Sequence, residues 1–471
     1  MTADPHRPSP APLEYAVAGQ VVVFLVGVSW AFGGNADWVR TPLSAWGTVG
    51  MLLTLALVAR RDARERILAG TLSWAWPVIA LNLVVVVSCL TPNLRLLDRA
   101  GEAYLMPVKV AGWIPSSARP EAALRSLWLF DGIFFSCLNM ALALSRRGII
   151  RLILAVAVGN SLALSIFGTV QKLTGFTGIY FGAFESPQDY FFASFVYDNH
   201  WGAFTILMLG ACVGLVLRYA TSRDGGGFFH GPAFAGLVAA LVIGVSIPLS
   251  GSRACTLLLV ILAAAALAQG MTKVSRALRL SGATPAAAFL AIALATAAAA
   301  AGVWMVAGES ILSRAQKTRE QVTSMLDQRG IGARSVLYRD TLRMARERPA
   351  FGWGMGSFPT VFALYNTQEP NSDHIPVVYH DAHCDWIQSV AEIGLVGTAL
   401  IGAAVLVPFA TARRSRLTPI PYFLLAGCTL TALYAWVEFP FGNVAVVLSW
   451  WLCFFGAIHY MRLSGAPAGT P

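Results

Sequence analysis

PAFAGLVAALVIGVSIPLS, residues 232–250, runs through Gly251-Ser252-Arg253 into ACTLLLVILAAAALAQ, residues 254–269. Each apolar run has about the length an α-helix needs to cross a bilayer core roughly 30 Å thick. Hydrocarbon offers the backbone no hydrogen-bond partners, so such runs must be helices that bond internally. Three residues between them make a tight membrane hairpin. The same pattern recurs along the whole chain, which is 56% hydrophobic and only 12% charged over 471 residues. Its mean hydropathy is +0.63. The fold class is therefore an all-α integral membrane protein.

About twelve spans are expected by the roughly 20-residue criterion. They lie near 15–33, 43–59, 71–91, 126–145, 149–171, 201–217, 232–250, 254–269, 285–306, 386–411, 419–437 and 443–461. The first lacks a basic approach and a small-residue cleavage site, so it reads as a span rather than a signal peptide. The alanine-rich run 285–301 suits close helix packing. No internal repeat is evident.

A net charge of +10 would suit nucleic acid, but the basic residues cluster in short loops. Arg60, Arg61, Arg64 and Arg66 follow span two, Arg146 and Arg147 span four, and Arg218 and Arg223 span six. Lys273, Arg276 and Arg279 follow span eight, and Arg413, Arg414 and Arg416 span ten. Basic loops on one side are the positive-inside pattern, which puts both termini in the cytoplasm. Segments 92–125, 172–200 and 307–385 then fall outside. The expected organisation is a disordered tail at 1–14, spans one to nine over 15–306, and an outer domain at 307–385. Spans ten to twelve follow over 386–463, then a tail at 464–471. Of seven cysteines, Cys89, Cys137, Cys212, Cys255, Cys428 and Cys453 lie in or at spans and only Cys384 near water. Neither a structural disulfide nor a cysteine metal site is expected.

Chemistry is sought where polar residues meet these spans. Arg253 sits at the outer end of the tight hairpin. It either snorkels or, with the Gly251 turn and two serines, binds phosphate. RSVLYRDTLRMARERP, residues 334–349, reads as a helix ending at Pro349. Its 334, 338, 341, 342 and 345 share a mostly apolar face. Arg334 starts that face and needs an anion, either a carboxylate or a ligand phosphate. Arg339, Arg343 and Arg346 lie on the other side, where a basic stripe is ordinarily a solvated face. The G-x-G-x-G at 352–356 does not follow a strand, so it is no dinucleotide fingerprint; by itself it reads as a turn.

His380, Asp381, His383 and Asp385 lie within six residues. Three readings compete: a zinc or manganese site, solvated loop residues, or one histidine as general base. A carboxylate at position 385 also suits a helix N-terminus. Gln388 and Glu392 follow on one face of the next span, and intramembrane polar groups are functional candidates. Asp131, Asn199, His200 and Glu438 are further candidates, each equally served by a neighbouring helix.

HCDWIQSVAEIGLVG, residues 383–397, resembles the signature of the O-antigen ligase and polymerase superfamily, H-N-x-hydrophobic-L-Q-x-x-x-E-x-G-hydrophobic-x-G. Ser252-Arg253, the helix from Arg334, and RPAFGWGMGSF at 348–358 match further motifs in the same order. One position departs: Cys384 stands where the family usually has asparagine. The resemblance implies a fold similar to class C glycosyltransferases, with a large periplasmic helical loop and no metal or nucleotide. It also implies a bacterial inner-membrane location with the active site facing the periplasm. The reaction implied is transfer of a glycan from undecaprenyl pyrophosphate to a sugar or lipid A–core hydroxyl. In it His383 is the base, Arg253 and Arg334 stabilise the leaving pyrophosphate, and no cofactor is used. Tyr338, Arg339, His380, Cys384, Gln388 and Glu392 are the expected substrate contacts. Membrane lipids are partners; nucleic acid is not. The alternatives are a lipid or polysaccharide transporter, which predicts midplane charges and repeat symmetry, and a passive scaffold.

Overall fold

The computed structural model describes residues 12–59, 64–99, 102–187, 190–220, 231–281, 333–368, 377–412 and 417–465. The expected span at 285–306, the outer segment 307–332, both terminal tails, and Arg60, Arg61, Arg223, Arg413, Arg414 and Arg416 lie outside these residues. Among the described residues, ten helices are long and apolar enough to cross a membrane. They are α1 (Pro12–Trp30), α2 (Asp37–Ala59), α3 (Arg64–Cys89), α4 (Pro120–Ala143), α5 (Arg147–Leu173), α6 (Asp198–Tyr219), α7 (Pro232–Ser250), α8 (Arg253–Ser281), α10 (Asp385–Ala412) and α12 (Val444–Gly465). Polar α9 (Ala333–Glu347) precedes α10, and α11 (Pro419–Tyr434) stands at the eleventh expected span. The protein is a mostly helical integral membrane protein, as its composition requires.

Two helices form the centre. Of α12's apolar window 94% is buried, and of α6's 83%, against 11% for α8. The α12 sequence VAVVLSWWLCFFGAIHYM is apolar on every side, which suits a helix surrounded by helices. Membrane helices gain little from the hydrophobic effect among themselves, so close packing and interhelical hydrogen bonds hold them. The α2–α4 crossing shows how. A Cβ added to Gly47 would lie 2.7 Å from Gly132 Cα, so the two backbones touch. Beside this contact Thr54 Oγ1 donates to Asn139 Oδ1 at 2.8 Å, and Asn139 Nδ2 to the Gly50 carbonyl at 2.7 Å.

The bundle has two unlike ends. At one, Ser145 Oγ donates to Glu14 at 2.9 Å, and Arg147 reaches Ser464 at 3.4 Å. The Arg151 guanidinium lies 6.0 Å over the Tyr219 ring. These contacts gather the start of α1, the exits of α4, α6 and α12, and the start of α5 into a basic end.

At the opposite end a second core forms. Leu94, Ala118, Leu337, Met344, Ala345, Trp353, Phe358, Phe362, Ala382 and Ala391 share it. It includes a hairpin that the sequence reading did not expect, β1 (Leu94–Arg99) with β2 (Glu102–Pro107), pairing Leu94 with Pro107 and Leu96 with Leu105. The buried face of α9 also differs from the expected stripe. Leu337, Asp340, Thr341, Met344 and Ala345 are buried, while Leu342 is 41% exposed. The helix is rotated because Asp340 is an inward polar anchor. It accepts from Thr367 N at 2.8 Å and Thr367 Oγ1 at 2.6 Å. Burial acts to raise its pKa, but these bonds and Arg339 outweigh it and hold the carboxyl below its ordinary value.

Helix α10 breaks at Gly394, whose φ of 66° and ψ of −176° are not helical. The break frees backbone groups, and the segment 349–354 takes them. Trp353 N–H bonds Ala391 O at 2.9 Å, Gly354 N–H bonds Glu392 O at 2.8 Å, and Leu395 N–H bonds Pro349 O at 2.8 Å. A Cβ on Gly394 would meet Ala350 O at 2.2 Å. The glycines therefore admit a backbone-to-backbone seam that fixes the outer domain onto the membrane helix.

Candidate functional site

The site forms where α11 ends. Between Tyr434 and Val444 the chain leaves the helix, apart from one turn at Pro440–Gly442. This connector carries Glu438, which is 4% exposed. A buried carboxylate needs partners, and each of its oxygens has one. Arg334, from the first turn of α9, forms an ion pair with Oε1 and donates from Nη1 to Val437 O at 3.0 Å. His383 Nδ1 meets Oε2 at 3.3 Å. Arg334 is thus paired with a carboxylate, one of the two partners its sequence position allowed. Burial acts to lower its pKa, but the charge and hydrogen bond of Glu438 prevail and raise it. The guanidinium is still 54% exposed and the imidazole 28%. Both can be reached from outside.

The surrounding backbone fixes His383. Its φ of 50° lies in the left-handed region, uncommon outside glycine, so neighbours must hold it there. Tyr338 hydroxyl donates to the His383 carbonyl at 2.8 Å. Ala382 N–H donates to Gln388 Oε1 at 2.8 Å. Asp385 ties the helix start to the connector: its N–H reaches Ala435 O at 3.0 Å, and its Oδ2 accepts from Phe441 N at 2.9 Å. The Phe439 ring stands edge-on to the imidazole, centroids 4.7 Å apart. With a carboxylate at Nδ1, the imidazole is oriented so that Nε2 can accept a proton.

Of the residues that the sequence reading assembled, Arg334, Tyr338 and His383 meet here. Gln388 and Glu392, expected at the substrate, hold backbone instead: Glu392 accepts from Gly356 N at 3.0 Å and Phe358 N at 2.8 Å. Arg339 is engaged with Asp340 at 3.2 Å and Thr367 at 2.6 Å. His380 is exposed and outside the Glu438 pair, which takes His383. Cys384 is fully buried, with its sulfur against the N–H groups of Trp386 and Ile387. It is the N-cap of α10, a position that favours asparagine, aspartate or serine. Burial pushes the Asp381 carboxyl up. Among the described residues no three His, Cys, Asp or Glu side chains are placed to hold a metal ion.

Arg253 is exposed at the first residue of α8. The left-handed Gly251 ends α7, and Ser252 caps α8, its Oγ donating to Asn199 Oδ1 at 2.5 Å. Asn199 and His200 open α6. His200 Nε2 meets Phe439 O at 3.1 Å, and its Nδ1 meets Asn35 Nδ2 at 3.3 Å. Asp131 accepts from Asn82 at 2.9 Å inside the bundle. Glu438 is the residue the sequence reading underweighted. Its one signal was an acidic side chain in an apolar stretch; the partners that give it meaning lie about fifty and a hundred residues earlier.

Comparison with known families bears on this cluster. A search of curated proteins gives no match. Residues 237–402 match the model of the O-antigen ligase family. That stretch holds Arg253, Arg334, the glycine seam and His383, and it stops before Glu438. Over this stretch, roughly a third of its length, the chain is similar to the O-antigen ligase family.

Proposed function

We propose that the chain transfers a glycan from undecaprenyl pyrophosphate to a hydroxyl of a sugar or of lipid A–core. The reaction takes place at the outer face of the bacterial inner membrane. His383 takes the acceptor's proton on Nε2. The acceptor oxygen bonds the anomeric carbon as the bond from that carbon to the pyrophosphate oxygen breaks. The pyrophosphate leaves with the electron pair, and Arg334 and Arg253 balance its charge. This reading gives the arginines, not a metal, the work of neutralisation. The basic ends of the even-numbered spans support its orientation, with both termini cytoplasmic.

The observation that carries it is the bridge of one buried carboxylate between His383 and Arg334. Before substrate binds, Glu438 neutralises Arg334. A pyrophosphate is the stronger ligand for an exposed guanidinium, because it offers more charge in a bidentate geometry. Once Arg334 turns to it, Glu438 is left to balance the imidazolium that forms on His383. Tyr338 and Arg339 act by holding the loop and helix that carry these groups.

The test is turnover of lipid-linked glycan extracted from the cells that express the chain, by purified protein in nanodiscs. His383→Ala is expected to lower kcat by about 10²–10⁴-fold. Arg334→Ala and Arg253→Ala are expected to lower kcat/KM for the donor, and Glu438→Gln to lower kcat with donor KM unchanged. Full transfer by His383→Ala sinks the mechanism. Movement of intact lipid-linked glycan across the bilayer without its cleavage would favour the transporter.

A further inference from the structure

The first turn of α6, with Tyr197 before it, packs on Phe439, the neighbour of Glu438, yet the mechanism above gives it no part. Phe439 is boxed by this turn. Tyr197 stacks on its ring with centroids 5.4 Å apart and planes 20° apart. His200 stands edge-on to the same ring at 4.8 Å, as His383 does at 4.7 Å. The backbone of Phe439 is held too, since its carbonyl receives His200 Nε2 at 3.1 Å.

That bond fixes the state of His200. A carbonyl only accepts, so Nε2 carries the hydrogen. Nδ1 then accepts from Asn35 Nδ2 at 3.3 Å, and Asn35 Oδ1 in turn accepts from Asn443 Nδ2 at 3.1 Å. Every donor points the same way, from Asn443 through Asn35 and His200 to Phe439. Both nitrogens of His200 are occupied and its side chain is buried, so it is not itself a base for a substrate. The turn is pinned on its far side as well. Asn199 Nδ2 donates to Tyr197 hydroxyl at 2.8 Å, and Asn199 Oδ1 takes Ser252 Oγ at 2.5 Å.

We propose that His200 is a positioning residue for His383, acting through Phe439. Glu438 fixes one edge of the His383 imidazole; the Phe439 ring is the wall that sets its tilt. His200 keeps that wall in place by holding the Phe439 backbone and flanking its ring. The proposal rests on the reading of His383 as the base.

The experiment is steady-state transfer from the same extracted lipid-linked glycan by nanodisc-embedded variants. His200→Leu keeps an apolar body and loses both hydrogen bonds. The expected result is a kcat fall of about a hundredfold, the usual cost of a small displacement of a reacting group, with donor KM unchanged. His200→Gln restores most of the loss, because its amide can donate to Phe439 and accept from Asn35 with the same polarity. If His200→Leu does not give monodisperse protein, Phe439→Leu is measured instead. It keeps the backbone bond, removes the wall, and is expected to show the same kcat loss. Wild-type kcat in His200→Leu or in Phe439→Leu overturns the proposal. So does a loss that appears wholly in donor KM, or one that His200→Gln does not relieve. His383→Ala, run in parallel, separates the two failures. If it transfers normally, the base is misassigned; if it is inactive while His200→Leu is not, only the positioning role is wrong.

Discussion

Cys384 stands beside His383, where the resembled signature carries asparagine, and from sequence it read as a substrate contact. Its sulfur instead faces the first free N–H groups of α10, in a pocket closed to solvent. The demand at this position is an N-cap, beside His383 and directly before the first residue of α10. Cys384→Asn is therefore expected to keep the acceptor preference and to melt at the same or a higher temperature, a gain of up to about 1 kcal/mol. A panel of acceptor sugars and a thermal melt check this; a changed acceptor order would return the residue to the substrate. Gln388 and Glu392 carry the same lesson. A polar residue in an apolar helix is legible as important, but not what it is important to. Both face backbone N–H groups that exist only because His383 and the glycine seam take non-helical conformations. No periodicity reveals that in advance.

Elements were legible where one solvent surrounds them. The apolar spans follow from composition and length, and the observed helices fall within about two turns of the expected bounds, except α8, which runs on from 269 to Ser281. Helix α9 was found but rotated, because an apolar stripe does not count a buried Asp340 with its own partners in Thr367. The hairpin β1–β2 was missed. Its strands are six residues each, and Leu94 and Leu105 from them join the core that holds Leu337 and Met344 of α9. Contacts between elements rest on small residues, and these can be tested. Gly47→Leu would drive a side chain into Gly132 at the α2–α4 crossing. Overpacking of this kind costs about 1–3 kcal/mol, so a lower melting temperature and poorer monodispersity in detergent are expected. Gly402→Leu is the control, since nothing lies within 4 Å of its added Cβ. Equal melting of the two variants would mean that the crossing does not depend on backbone contact.

At the scale of the molecule, the bundle is polarised. Basic residues collect at the end where α4 leaves and α5 begins, and the Glu438 cluster lies at the other. The proposed orientation predicts opposite labelling of two single cysteines, Trp113→Cys in the connection from β2 to α4 and Arg147→Cys at the start of α5. Trp113 is 74% exposed. Six of the native cysteines are buried and Cys89 half-buried, so the background is low. A membrane-impermeant maleimide on spheroplasts is expected to label Trp113→Cys, and to label Arg147→Cys only after lysis. The reverse result inverts the topology. The expected orientation rests on loop charges. The meeting of residues 334, 383 and 438 was less legible, because about a hundred residues separate the first from the last and only folding sets their distances.

The shortness of α11 has a consequence for the lipid around it. Sixteen residues rise about 24 Å, some 6 Å less than a typical hydrocarbon core. The helix ends at Tyr434, just before Glu438. There the last turn of α11 and the connector show Leu433, Trp436 and Val437 to the outside, each at least half exposed. Acyl chains meeting this low wall must shorten or tilt, since thinning is how a bilayer answers a short span. On the proposed orientation, the leaflet drawn in beside this wall is the outer one. On the proposed function, the diphosphate of a long isoprenoid would be drawn toward the midplane there, beside the carboxylate that Arg334 and His383 share.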